Sequence, residues 1–294
     1  MTMPERRAKV TFLPDHIVMK KLFLTIIALA SGYLLIQPIY YWSQQPDPGA
    51  IAAKPEDTTS VSGESKTIRY HNVDIPDFAS ISDVTERKKQ FFDFLRPAII
   101  AENQRLLSLR KQVLDSQQQF NQNQNLTLEQ KEFIAQMVDI YSLEASDNMP
   151  ELFEQLLLRV DQIPMELVLV QAANESAWGS SRFAQQGLNF FGLWCFKRNC
   201  GMVPKGRDTG ARHEVATFDS VQQMLRFYFH NLNSHYAYDM FRSIRGQLRA
   251  NDLPLQADVL ATGLLPYSQR GIDYIVEIHT MLRQNKRYFK AETT

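Results

Sequence analysis

The chain has 294 residues, with Lys+Arg and Asp+Glu balanced at 32 each. That balance removes any electrostatic argument for a nucleic acid or a strongly acidic partner. Hydrophobic residues make up 44% of the chain, an ordinary globular share, and helix formers outweigh alternating β-branched runs, so a mainly α fold is expected.

Residues 1–21 are a short basic leader, with Arg6, Arg7, Lys9, Lys20 and Lys21. Residues 22–42 then run 21 positions without a charge and end on Tyr40, Tyr41 and Trp42. A helix needs about 20 apolar residues to span a bilayer. Flanking lysines place their own side in the cytoplasm, and aromatic residues favour the interface. A single-pass inner-membrane anchor is therefore expected, with the rest of the chain in the periplasm. The alternative is a signal peptide cleaved after Ala28–Leu29–Ala30, releasing a periplasmic protein. Residues 43–83 form a linker; its stretch 44–65 is rich in Pro, Gly, Ser, Thr and Ala and reads as a flexible tether.

Helical spacing of apolar residues resumes near Val84, and a helical extension is expected over 84–126, broken or kinked at Pro97. Thr127 is an N-cap for a helix beginning at Leu128, and Pro150 opens another over 151–160. Residues 165–177 are apolar or small on almost every side of a helical wheel, which marks a central buried helix. A shorter helix follows from Ser181. The Pro/Gly-rich stretch 202–218, with Val215 and Thr217, predicts a small β-hairpin lobe. Ser220 and Gln223 make a capping box ahead of a stripe of Val221, Met224, Leu225, Tyr228, Phe229 and Leu232. A last helix is expected over 273–284.

The central helix poses the chemical question. In "LVLVQAANESAWGSS" Glu175 follows eight uncharged residues and precedes Trp178 by three. A carboxyl group at the end of a buried helix has its pKa raised by desolvation, which suits a general acid near neutral pH. Breaking a sugar–sugar bond needs such an acid and usually a second carboxylate. The bland alternative is a Glu that caps, pairs with an arginine or faces solvent.

The same stretch resembles the glucosaminidase family of peptidoglycan hydrolases. Ala173, Glu175, Ser176, Trp178, Gly179 and Ser181 match its A-x-E-S-x-W-G-x-S hallmark, and Asn189, Phe191 and Gly192 match its N-x-F-G segment. In "LLPYSQRGIDYIVEI", Tyr267 and Tyr274 take the places of the family's two closing tyrosines. The resemblance covers roughly residues 152–288. It implies an α+β, lysozyme-like helical domain over 127–290, a cleft between lobes, and cleavage of peptidoglycan glycan strands next to N-acetylglucosamine. It calls for no cofactor and no metal.

On that resemblance Glu175 is the general acid. Glu214, ahead of Val215 on the hairpin, is the expected second carboxylate, with Asp208 as its rival. Trp178, Phe191 and Trp194 are cleft walls on which sugar faces stack, or else core residues. Asn189 contacts an N-acetyl group or organises the turn before Gly192, and Tyr267 and Tyr274 line the cleft. The segment "CFKRNCGMVPKG" departs from the family's shorter continuation, and in an oxidising compartment Cys195 and Cys200 are expected to bridge. The competing readings are a lytic transglycosylase on the same fold and a noncatalytic wall-binding scaffold.

Overall fold

The computed structural model describes residues 69–144, 146–204 and 213–289. The 22–42 span, the 44–65 tether and Asp208 lie outside the described residues. No described helix is long and apolar enough to cross a membrane.

Helix α1 (Val84–Asn123) starts where the Asp83 side chain accepts the Glu86 amide, and ends where Gln124 turns into the left-handed region. It runs unbroken through Pro97. An internal proline costs a helix about 3 kcal/mol; here Leu95, Ala98 and Ile99 are all buried beside it, and that packing outweighs the lost amide. Helix α2 (Leu128–Ile140) opens on a capping box between Thr127 and Gln130, and α3 (Met149–Arg159) carries Pro150 in its first turn. Phe153 and Leu156 of α3 bury with Ile134 and Met137 of α2 and Val113 of α1 to form a smaller core.

The main core surrounds α4 (Met165–Glu175), from which Leu167 to Ala173 are all buried. It is covered by the first half of α1, by α6 (Val221–Ser234), by α7 (Asp239–Ala250) and by α9 (Ile272–Asn285). All six residues of the α6 stripe are buried, as periodicity predicts. Short α5 (Arg182–Gly187) and α8 (Ala257–Ala261) complete the helices used below.

The β-lobe is three short antiparallel strands, β1 (Trp194–Cys195), β2 (Gly201–Met202) and β3 (Glu214–Ala216), in the order β1-β3-β2. Trp194 pairs with Val215, Cys195 with Glu214 and Met202 with Val215. The expected hairpin, β2 with β3, thus gains β1 as a third strand on the other edge of β3, and a disulfide between Cys195 and Cys200, with Cα atoms 6.1 Å apart, links β1 to the residue ahead of β2.

Order begins ahead of Val84. Residues 69–83 lie as a strap on α5, with the Tyr70 amide bonded to the Gln186 carbonyl at 2.8 Å and the Gln185 side chain donating to the Pro76 carbonyl at 3.3 Å. Ile75 and Phe78 are buried in the main core. Val73, Ile75, Phe78 and Ile81 follow neither a helical nor a strict strand period over this length, yet all four pack in or against the main core, so the linker expectation for 69–83 gives way to packing.

Candidate active site

The apolar faces of α4 fix the helix in the core, and its last residue is Glu175. The chain then turns sharply: Ala177, Trp178 and Gly179 all have positive φ, at 51°, 57° and 76°. Left-handed backbone costs an L-residue about 1–2 kcal/mol. The buried Ser176 hydroxyl offsets it, donating to the Ala172 carbonyl at 2.6 Å and accepting the Gly179 amide at 2.8 Å. Ser181 then caps α5. The family's E-S-x-W-G-x-S pattern is therefore a helix stop, a pinned turn and a helix start.

Four tyrosines from four elements gather around Glu175: Tyr228 from α6, Tyr238 from a 3-10 turn (Tyr236–Tyr238), Tyr267 from a second 3-10 turn (Thr262–Tyr267), and Tyr274 from α9. Rings of Tyr267 and Tyr274 stack with centroids 5.6 Å apart, and Tyr238 lies 6.1 Å from Tyr267. Burial raises the pKa of each, and the Glu175 charge adds to it. All four stay phenols, and so hydrogen-bond donors, over any working pH.

Burial likewise pushes the Glu175 carboxyl above its ordinary range. A hydrogen bond from Tyr274, the charge of Arg270 and a bond from Asn174 pull it back, while the charge of Glu277 adds to the rise. The net displacement is upward, so desolvation wins. Arg270 is itself paired with Glu277 at 2.6 Å. The Glu175 Oε1 atom is buried with no hydrogen-bond partner among the described residues. An unsatisfied buried oxygen is costly to keep and is suited to holding a proton destined for a ligand.

Other residues singled out from the sequence fall into two groups. Phe191 is buried, stacked on Tyr228 at 3.9 Å, and its carbonyl accepts the Tyr267 hydroxyl at 3.0 Å, so it backs the tyrosine cluster rather than offering a face. Trp194 is 41% exposed, edge-on to His213 at 4.4 Å. Trp178 packs on Phe91 and Phe92 of α1, with Lys88 Nζ 4.8 Å from its ring centre; its faces are engaged, so it acts as packing and not as a bare wall. Asn189 is fully committed to the fold. Its amide nitrogen donates to the carbonyls of Leu193 and Ala216, and its oxygen accepts from Phe191 and Leu193. These four bonds occupy both amide protons and both lone pairs of the Asn189 side chain. Gly192 serves the turn they bracket with φ of +65°.

Glu214 is buried on β3, and its two oxygens accept the amides of Asn199 and Gly201 at 3.2 and 2.9 Å. It thereby clasps the loop that the disulfide closes. Glu214 and the two sulfurs sit within 4.8 Å of one another, but the sulfurs are bonded to each other and offer no thiolate to a metal.

The sequence did not single out Gln171, Arg270 or Glu277 for the site, and it placed Tyr228 only in a core stripe. Gln171 carried a signal: it is the one amide among buried apolar residues of α4, one turn before Glu175 and so on the same face.

The family described as glucosaminidase, mannosyl-glycoprotein endo-beta-N-acetylglucosaminidase, matches residues 151–287. That range holds every residue of the tyrosine cluster and leaves α1 and α2 outside it. Protein bax of Escherichia coli (strain K12) is 32% identical over 218 residues, which cover 74% of this chain and 76% of that protein. No solved structure matches the chain.

Proposed function

The chain belongs to the glucosaminidase family, and from that premise we propose that it hydrolyses peptidoglycan glycan strands at N-acetylglucosamine, as an endo-β-N-acetylglucosaminidase. The observation that carries this reading is the Glu175 carboxyl, its pKa raised by burial within the four tyrosines and one of its oxygens buried without a hydrogen-bond partner among the described residues. A carboxylic acid that burial makes hold its proton more tightly than usual can deliver that proton to the leaving glycosidic oxygen. The exposed ring of Trp194 is the proposed stacking surface for a sugar face. Glu214 is the proposed second carboxylate, with Asp208 as its rival. Residues 22–42 are the proposed inner-membrane anchor, with the enzyme facing the wall from the periplasm.

Digestion of purified sacculi, followed by mass spectrometry of the products, tests the reaction. Reducing N-acetylglucosamine ends are expected; anhydro-muramic ends would make the enzyme a lytic transglycosylase, and intact glycan a binding protein. Glu175→Gln is expected to fold and to lose about two to four orders of magnitude in rate, the usual worth of general acid catalysis. Glu214→Gln is expected to be impaired, but less so. If Asp208→Asn is the damaging change instead, the second carboxylate is Asp208.

A further inference from the structure

We propose that Gln171 is a positioning residue that turns the Tyr274 hydroxyl proton onto Glu175, completing a donor relay that starts at Tyr228. The relay rests on the reading of Glu175 as the acid, and it is built from three side chains with no exposure at all: Tyr228, Gln171 and Tyr274 are each 0% accessible.

The direction of the relay follows from the inventory of protons. Tyr228 has one hydroxyl proton, which it donates to Gln171 Oε1. The amide oxygen thus faces Tyr228 and the amide nitrogen faces Tyr274. Gln171 Nε2 then donates to the Tyr274 oxygen at 2.8 Å. Its oxygen now accepts, so the single proton of Tyr274 is left to donate, and the neighbouring acceptor is the Glu175 carboxyl.

Each rotor in the relay is clamped. Tyr228 is stacked on Phe191, Tyr274 is stacked on Tyr267, and the Arg270 guanidinium lies 5.6 Å from the centre of the Tyr274 ring. Burying a glutamine in the core is costly unless both ends of its amide are bonded, and here both are. A leucine or methionine of similar volume would fill the space without that requirement, so the amide at this position is explained by what it orients.

The hydrogen bond it aims favours the ionised form of Glu175, because a donor stabilises the carboxylate more than the acid. The relay thus opposes burial and limits how tightly the proton is held. The other groups facing Glu175 act alongside it. Arg270, ahead of α9, favours ionisation, as does Asn174 on α4; Glu277 on α9 opposes it. The hydroxyls of Tyr238 and Tyr267 stay uncharged.

The test is a carbon-13 titration of glutamate carboxyls in the full-length chain, with the Glu175 signal identified by its loss in Glu175→Gln. In Gln171→Met the Glu175 midpoint is expected to rise, and the alkaline limb of wall hydrolysis to move up with it. The value of kcat should fall about tenfold or more with KM little changed, the worth of one hydrogen bond to a charged group. Tyr274→Phe should raise the midpoint too, and Gln171→Met/Tyr274→Phe should raise it no further than Tyr274→Phe alone, since Gln171 acts through that hydroxyl.

An unmoved midpoint in Gln171→Met overturns the relay. So does a shift of equal size with and without the Tyr274 hydroxyl, which would make Gln171 a packing residue. If Gln171→Met does not fold, Tyr228→Phe decides: a midpoint that rises supports the relay and one that stays overturns it. A relay that moves the Glu175 midpoint while Glu175→Gln still digests sacculi at the parent rate upholds the positioning and removes Glu175 as the acid.

Discussion

The raised Glu175 pKa has a consequence for folding. A carboxyl whose folded pKa lies above its unfolded value binds its proton more tightly when folded, so ionising it costs stability. The cost is absent below the unfolded value of about 4.3, grows as pH rises towards the folded value, and is complete above it. Glu175→Gln is therefore expected to melt at a higher temperature than the parent at neutral pH, with the gap closing in acid. Calorimetry across that pH range checks this, and a gap independent of pH would show that the carboxyl is not strained. Gly179 tests the turn that follows. A Cβ there would meet Phe78 at 2.5 Å, on a backbone with φ of +76°. Gly192 has a φ of +65° and open space around it. Gly179→Ala should lose more stability than Gly192→Ala, whose cost should stay near the 1–2 kcal/mol of a left-handed L-residue. Denaturant titration of the two variants compares them.

Between helices, the most telling feature is a buried ion cluster. Asp161, 1% exposed, is gripped in bidentate fashion by Arg249 at 2.8 and 3.0 Å, with Arg110 at 3.5 Å and Arg245 at 4.0 Å. Arg245 also donates to the carbonyls of Leu158 and Gln162, at the end of α3 and just beyond it. Burial pushes the Asp161 carboxyl up, but the Arg249 hydrogen bonds and the three positive charges outweigh it and hold it low. A depressed carboxylate stabilises the fold above its unfolded value of about 3.9 and stops doing so as pH falls through the folded value. Asp161→Asn is expected to lose about 3–5 kcal/mol at neutral pH, because it leaves Arg245 buried without its counter-charge. The loss should shrink below pH 4; equal denaturation midpoints for parent and variant at neutral pH would refute it.

These cases show what the sequence made legible. The α6 stripe and the Thr127 cap were readable because their signals are local. Helix α7 was not, since Arg242 and Arg245 occupy its buried face and break the apolar period on which the reading depends. Glu175 was readable as a charge out of place in an apolar run. Tyr267 and Tyr274 were reached only through the family resemblance, and Tyr228 and Tyr238 were not placed at the site, because they meet it through packing between elements far apart in the chain. Asn189 was ambiguous for the same reason: its four bonds reach backbone atoms as far away as Ala216, and no spacing rule predicts them.

At the scale of the whole molecule, α1 joins the two cores, and the strap ahead of it packs against α5 and the turn that follows Glu175. If residues 22–42 anchor the protein, fractionated cells should hold the full-length chain in the inner membrane, with residues beyond 66 open to protease only from the periplasm. A soluble periplasmic form beginning at Ser31 would instead show cleavage after Ala30. The strap also decides how such an anchor is felt. Phe78 sits beneath Gly179, and Gln185 bonds both the Pro76 and the Gly179 carbonyls. A pull on the chain from its N-terminal side would therefore be felt first at α5, through Tyr70, and next at the turn that follows Glu175, through Pro76 and Phe78. If residues 22–42 hold the chain at a membrane and Glu175 is the acid, a taut leash would strain that residue's own support and a slack one would leave it undisturbed, so reach and readiness to cut would be mechanically joined.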